Sequence, residues 1–166
     1  MSEIPQKWDG VWTYLKQAQK PLRAKGMRHL YACGLQVTTV GPNDGNNVFY
    51  HFLIANGGQN FVTPDGKLHT DDPKVREAAI KSVEFMTNLY KEGVVPPEAL
   101  SWNDADDNNG YHEKLFMMDF DGTLSTELAM VKDKQAFYHD MQTLAPVQKN
   151  DGSQMITQLG AGGGFI

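Results

Sequence analysis

The sequence predicts an α/β domain. Strand-like segments alternate with helical ones along the chain. Three loops, 41–47, 121–124 and 160–164, fall where a strand hands over to the next element, the place where such domains gather ligands. The length of 166 residues fits one domain with a real core, since a chain of this size buries roughly 70% of its unfolded surface. Hydrophobic residues at 40% and charged residues at 21% give the balance of a globular chain rather than a disordered one.

The elements follow from local pattern. Trp8, Trp12, Leu15 and Leu22 share one helical face, with both tryptophans expected in the core. Gly26 ends that helix after a basic turn, and Pro21 is expected to kink or split it. Residues 29–38 read as a buried strand. A polar turn over 41–47 precedes a compact apolar helix from Phe49 to Asn56, closed by Gly57-Gly58. Thr63-Pro64-Asp65-Gly66 is a tight turn between short strands at 60–63 and 67–69. Asp72 caps the next helix, with Pro73 at its first position. Its inward stripe reads Val75, Ala79, Val83, Met86 and Leu89/Tyr90, and Gly93 stops it. Residues 98–113 form a polar loop around a short helix, with Asp104, Asp106 and Asp107 as a solvated acidic face. Leu115 to Phe120 reads as a strand and Thr123 to Val131 as a helix. A last strand is expected at 139–145, followed by a turn at Asn150-Asp151-Gly152.

Composition excludes several function classes. A net charge of −5 disfavours nucleic acid and anionic membrane surfaces, which require clustered Lys and Arg. Apolar stretches such as Phe52 to Ala55 are far shorter than the ~20 residues that span a bilayer. Cys33 is the one cysteine and reads as an inert buried thiol. The five histidines show no metal-ligand spacing, and no cofactor is expected.

Asp119-Phe120-Asp121-Gly122-Thr123 closes the strand before a helix. It resembles the nucleophile motif of haloacid-dehalogenase-type phosphatases. The resemblance implies Asp119 as a phosphoryl-accepting nucleophile, Asp121 as general acid, and a need for Mg²⁺. The context argues against it. In that family this strand opens the catalytic sheet and an acidic Mg²⁺-binding pair follows, whereas here no acidic pair at a strand end follows Thr123.

A second resemblance covers nearly the whole chain. It runs through Gln6-Lys7-Trp8-Asp9, Ala55-Asn56-Gly57-Gly58, Asp65-Gly66-Lys67, Asp72-Pro73-Lys74-Val75-Arg76-Glu77-Ala78, Tyr90 to Pro97, Met118 to Thr123, and Gly160 to Gly164. In order and spacing these pieces resemble the extracellular solute-binding proteins, family 1, of bacterial ABC importers. The resemblance implies a periplasmic-binding-protein-like type II fold, with residues 1–166 as a single C-terminal lobe whose mixed sheet is flanked by helices. The partner lobe and signal peptide would lie outside the chain. It further implies a periplasmic or extracellular location and no catalysis. A sugar or polyol would be the solute, captured by hinge closure before docking on a membrane permease. A lone lobe would expose its partner-facing surface and tend to self-associate. The chain departs from that family at His112-Glu113-Lys114, at Asp121 where Asn is common, and at Thr123-Leu124 where an aromatic is frequent.

The candidate ligand-binding residues are Asn46, Asn47, Trp102, Asp121, Gly122, Thr123, Gly162 and Gly163. Asn46 and Asn47 either hydrogen-bond the solute or cap the following helix. Trp102, in a polar loop, is either a stacking platform or a packing residue over Pro96-Pro97. Asp121 accepts hydrogen bonds from a solute or caps a helix. Gly122 and Thr123 offer a backbone N–H and a hydroxyl. Gly162 and Gly163 permit close backbone approach. They make no dinucleotide fingerprint, because Phe165 stands where glycine is needed.

Overall fold

Two short strands organise the molecule. The computed structural model describes residues 4–38, 43–59, 61–121 and 125–155. Strand β1 (Tyr31–Gly34) pairs in parallel with β2 (Phe116–Asp119), in the register Tyr31 with Phe116, Cys33 with Met118 and Gly34 with Asp119. Around them lie helices α1 (Trp8–Ala24), α2 (Asn43–Ala55), α3 (Pro73–Lys91), α4 (Asp106–His112) and α5 (Ser125–Ala129). The α/β class holds. Among the described residues the sheet is two-stranded and parallel, not mixed.

The free edge of β1 is satisfied by a loop. Val94, just past α3, takes the amides of Ala32 at 2.9 Å and Cys33 at 3.2 Å on its carbonyl. The expected strand 29–38 therefore shrinks to four residues, and beyond it Val37 N–H turns to the Ala99 carbonyl at 3.1 Å. No strand forms at 139–145. A π-helical turn spans Ala136–Asp140, and an irregular extended run follows. That run meets the N-terminus, where Gln148 exchanges backbone bonds with Gln6 and Trp8 at 2.8 and 2.9 Å. The paired strands expected at 60–63 and 67–69 reduce to a single bridge, Val62 to Leu68.

Helix α1 is continuous through Pro21. Proline costs most in a helix interior, and here it lies in the final turn, where its carbonyl still accepts from Lys25 at 3.1 Å. Trp8 and Trp12, each 2% exposed, drive the helix into the core as expected. There they meet Phe52 of α2, Phe85 of α3 and Phe120, with Trp12 stacked on Phe120 at 5.6 Å. Such aromatic pairs contribute about 0.5–1.5 kcal/mol each beyond their area.

Helix α3 is capped as expected. The Asp72 carboxylate accepts from Lys74 N–H at 2.8 Å and from Val75 N–H at 3.3 Å. Its buried face, however, is Val75, Ala78, Ser82 and Leu89, while Val83 is 55% exposed and Ile80 52%. Small residues win the interface because α2 and its Gly57-Gly58 turn press close. A Cβ on Gly58 would stand 2.7 Å from Leu53 Cγ and 3.0 Å from Ala78 Cβ. Ser82 is buried without penalty because its hydroxyl donates back to the Ala78 carbonyl at 2.7 Å.

Phe116 locks the ladder to α4. Its ring fills the space left by Gly34 on β1 and by Gly110 on α4, where an added Cβ would stand 2.6 Å from Cε1. Trp102 and Tyr111 close around it, with ring centroids 6.0 and 6.2 Å away. A methyl at either glycine must displace the ring. Gly34→Ala should therefore destabilise the fold by about 1–3 kcal/mol, read as a lowered urea midpoint at unchanged m-value. A midpoint equal to that of the parent chain would show that the ring has room to move.

Candidate functional site

The carboxyl end of β2 opens into a cleft of about 600 Å³. Its walls come from α1 (Trp8, Tyr14), the end of β2 and the residues after it (Asp119, Phe120, Asp121), α5 (Thr126, Glu127) and the run 140–147. This volume lies within the range of small-molecule sites. Parallel pairing positions the acidic residues: Asp119 ends the ladder opposite Gly34, and Asp121 follows two residues on.

Asp121 is the hub of a hydrogen-bond network. Its Oδ2 accepts from the Ser125 hydroxyl at 2.7 Å, the Thr126 hydroxyl at 2.9 Å and the Thr126 backbone N–H at 3.3 Å. Asn108 of α4 reaches the same group, with Nδ2 3.2 Å from Asp121 and 2.8 Å from both hydroxyls. Asp121 thus fixes the start of α5, the capping role read from the sequence, and also lines the cleft.

Asp119 is more deeply placed. One carboxyl oxygen lies 3.4 Å from the Thr126 hydroxyl, and the other is buried with no partner. Burial, then repulsion from Asp107 and Asp121, lifts its pKa from 3.8 to about 8. Asp107, behind it on α4, is lifted to about 6, mainly by burial, against the pull of the Asn108 N–H at 3.0 Å. Gln36 donates to Asp107 at 3.3 Å and to the Asn103 carbonyl at 2.8 Å. The Tyr111 phenol, which also lines the cleft, is raised by burial, then by Asp119 and Glu127. His51 also lines the cleft. Its Nδ1 lies 2.7 Å from the Asn47 carbonyl, which can only accept, so Nδ1 is the donor in that bond.

The residues singled out from sequence are dispersed. Asp121 is in the cleft. Asn46 and Asn47 do not precede a helix but lie within α2, with the Asn46 side chain exposed and that of Asn47 half-buried, and neither lines the cleft. Trp102 is 8% exposed and packs on Phe116 in a separate cluster with Ala99, a packing position whose ring partner is Phe116. Gly122, Thr123, Gly162 and Gly163 lie outside the described residues. The sequence reading missed Asn108, Glu127 and the inward turn of Asp107, which is 2% exposed rather than part of a solvated face. Asp107 shares an i,i+3 face with Gly110, and that face turns inward because it meets Phe116, a contact between distant segments.

Among the described residues no group of three or more His, Cys, Asp or Glu side chains is arranged to hold a metal ion. Among the described residues no helix is long and apolar enough to cross a membrane. No family model matches the chain, and no curated protein matches it.

The raised Asp119 sets a pH dependence. Between about 4 and 8 an unfolded Asp119 ionises while the folded one keeps its proton. The folded state then binds more protons, so stability falls as pH rises through that window. Asp107 adds to the fall up to about pH 6. Asp119→Asn, which mimics the neutral carboxyl, should raise stability at pH 8 by roughly 1–3 kcal/mol and change it little at pH 4. Thermal melts across pH check this, and a variant less stable than the parent at pH 8 would refute it.

Proposed function

We propose that this chain is a ligand-binding domain that holds a small organic solute in the cleft at the end of β2. One observation carries the reading. A cavity of about 600 Å³, largely walled by apolar and aromatic side chains, has a few fixed polar groups converging at a strand end. The resemblance to solute-binding proteins of ABC importers agrees with this placement. On that reading the chain is one lobe of a two-lobed periplasmic or extracellular protein. A sugar or polyol is the solute class the resemblance implies, and closure against the other lobe would precede docking on a permease.

Binding is preferred to phosphoryl transfer on chemical grounds. A nucleophilic carboxylate must be ionised, and Asp119 is held protonated up to about pH 8 by burial and its acidic neighbours. Asp121, the required general acid, already accepts from Ser125 and Thr126. A divalent cation would pull the Asp119 pKa down, so the test includes Mg²⁺.

Two measurements follow. Trp8 lines the cleft, so a panel of sugars, polyols, amines and carboxylates is screened by tryptophan fluorescence. Ala18→Trp, which fills the cleft from α1 without removing a polar group, should weaken any ligand found by roughly tenfold or more. Undiminished affinity would put the ligand elsewhere. Hydrolysis of p-nitrophenyl phosphate with Mg²⁺ should stay at background, and activity abolished by Asp119→Asn would reverse the choice between binder and phosphatase.

A further inference from the structure

The chemistry of the cleft wall narrows the solute class. Four carboxyl side chains line it, Asp119, Asp121, Glu127 and Asp140, and among the described residues no Lys or Arg does. Glu127 accepts from the Thr143 hydroxyl at 2.8 Å through one oxygen, while its other oxygen is buried without a partner. A buried acceptor in that state calls for a donor. The indole of Trp8, 2% exposed, lines the same cleft with its Nε1–H unpaired. Tyr14 and Phe120 add further ring surface to the wall.

Resting on the binding reading above, we infer that the cleft takes an organic cation, a primary or secondary ammonium on an aromatic or aliphatic body that carries a hydroxyl or carbonyl. The ammonium donates to the unpaired Glu127 oxygen, and the hydroxyl or carbonyl accepts from Trp8 Nε1–H. The apolar body takes the place of water against Trp8, Tyr14 and Phe120, whose ring faces favour a nearby cation. This class replaces the sugar or polyol that the resemblance implies. A sugar would bring many hydroxyls against apolar walls, leaving some unpaired. An anionic solute would meet the carboxyl groups and no counter-charge. Asp119 fits the same picture, since burial and its acidic neighbours keep it protonated and an arriving cation favours its ionised form.

Calorimetric titration of the full chain at pH 8 tests this with the amine 2-amino-1-phenylethanol, its neutral isostere, the alcohol 1-phenylethane-1,2-diol, and phenylacetate. The amine should bind roughly tenfold or more tighter than the alcohol, with phenylacetate weakest. Glu127→Gln should reduce the preference for amine over alcohol by roughly fivefold or more. Should that variant melt early, raising salt from roughly 20 to roughly 500 mM on the parent chain substitutes for it, weakening the amine and sparing the alcohol. An alcohol that binds as well as the amine, or a preference that survives both Glu127→Gln and high salt, overturns the inference while leaving the binding reading in place. A sugar that binds where the amine does not has the same meaning. If no probe and no member of the wider panel binds, the binding reading falls with it.

Discussion

The parallel pairing of Tyr31–Gly34 with Phe116–Asp119 is the constraint on which the rest of the molecule depends. Two four-residue strands form a weak sheet by themselves. Here the outer edge of β1 and the Phe116 face are taken up by something else. The Val94 carbonyl closes the outer edge of β1, and Phe116 reaches across to α4 through the space of two glycines. The aromatic group of Trp8, Trp12, Phe52, Phe85 and Phe120 gathers three helices and the residue after β2 into one core. The ladder sets the register, and the register decides that Asp119 ends opposite Gly34, in the wall of the cleft.

That placement is costly. Three aspartates crowd one end of the sheet, and burial raises two of them well above the usual carboxylate range, with repulsion from Asp107 and Asp121 adding at Asp119 and from Asp44 at Asp107. Groups of this kind are found where structure serves chemistry rather than stability. The network around Asp121 moderates the cost by giving one of the three a full set of donors from α4 and α5. The short helix α5 therefore owes its start to a residue that also faces the cleft. Fold and site share a single set of hydrogen bonds there, and neither can be altered without the other.

Where the sequence was legible, a covalent or capping rule made it so. The limits of α3 follow from Asp72-Pro73 and Gly93, and the helical face of α1 follows from two tryptophans one turn apart. The interior face of α3 was misjudged because hydrophobicity alone favours Val83 over Ser82, while the close approach of Gly58 and Leu53 selects small side chains. Trp102 looked available because its neighbours are polar, yet the ring sits over Phe116, far away in the chain. Asp107 looked solvated for the same reason. In each case a partner from a distant segment decided the outcome, and no local pattern carries that information. Asp121 was legible because a strand end followed by a helix start is itself local.

Cys33 sits at the middle of β1, fully buried, with its thiol proton held on by that burial and then by Asp119 and Asp107. Only a thiolate attacks an electrophile or a disulfide. The sulfur is thus silent while the ladder is closed and becomes reactive when β1 parts from β2. The rate at which an alkylating reagent consumes it counts the transient openings of the central ladder. Because the sequence holds this one cysteine, the chain carries its own single-site clock for the parting of its two strands.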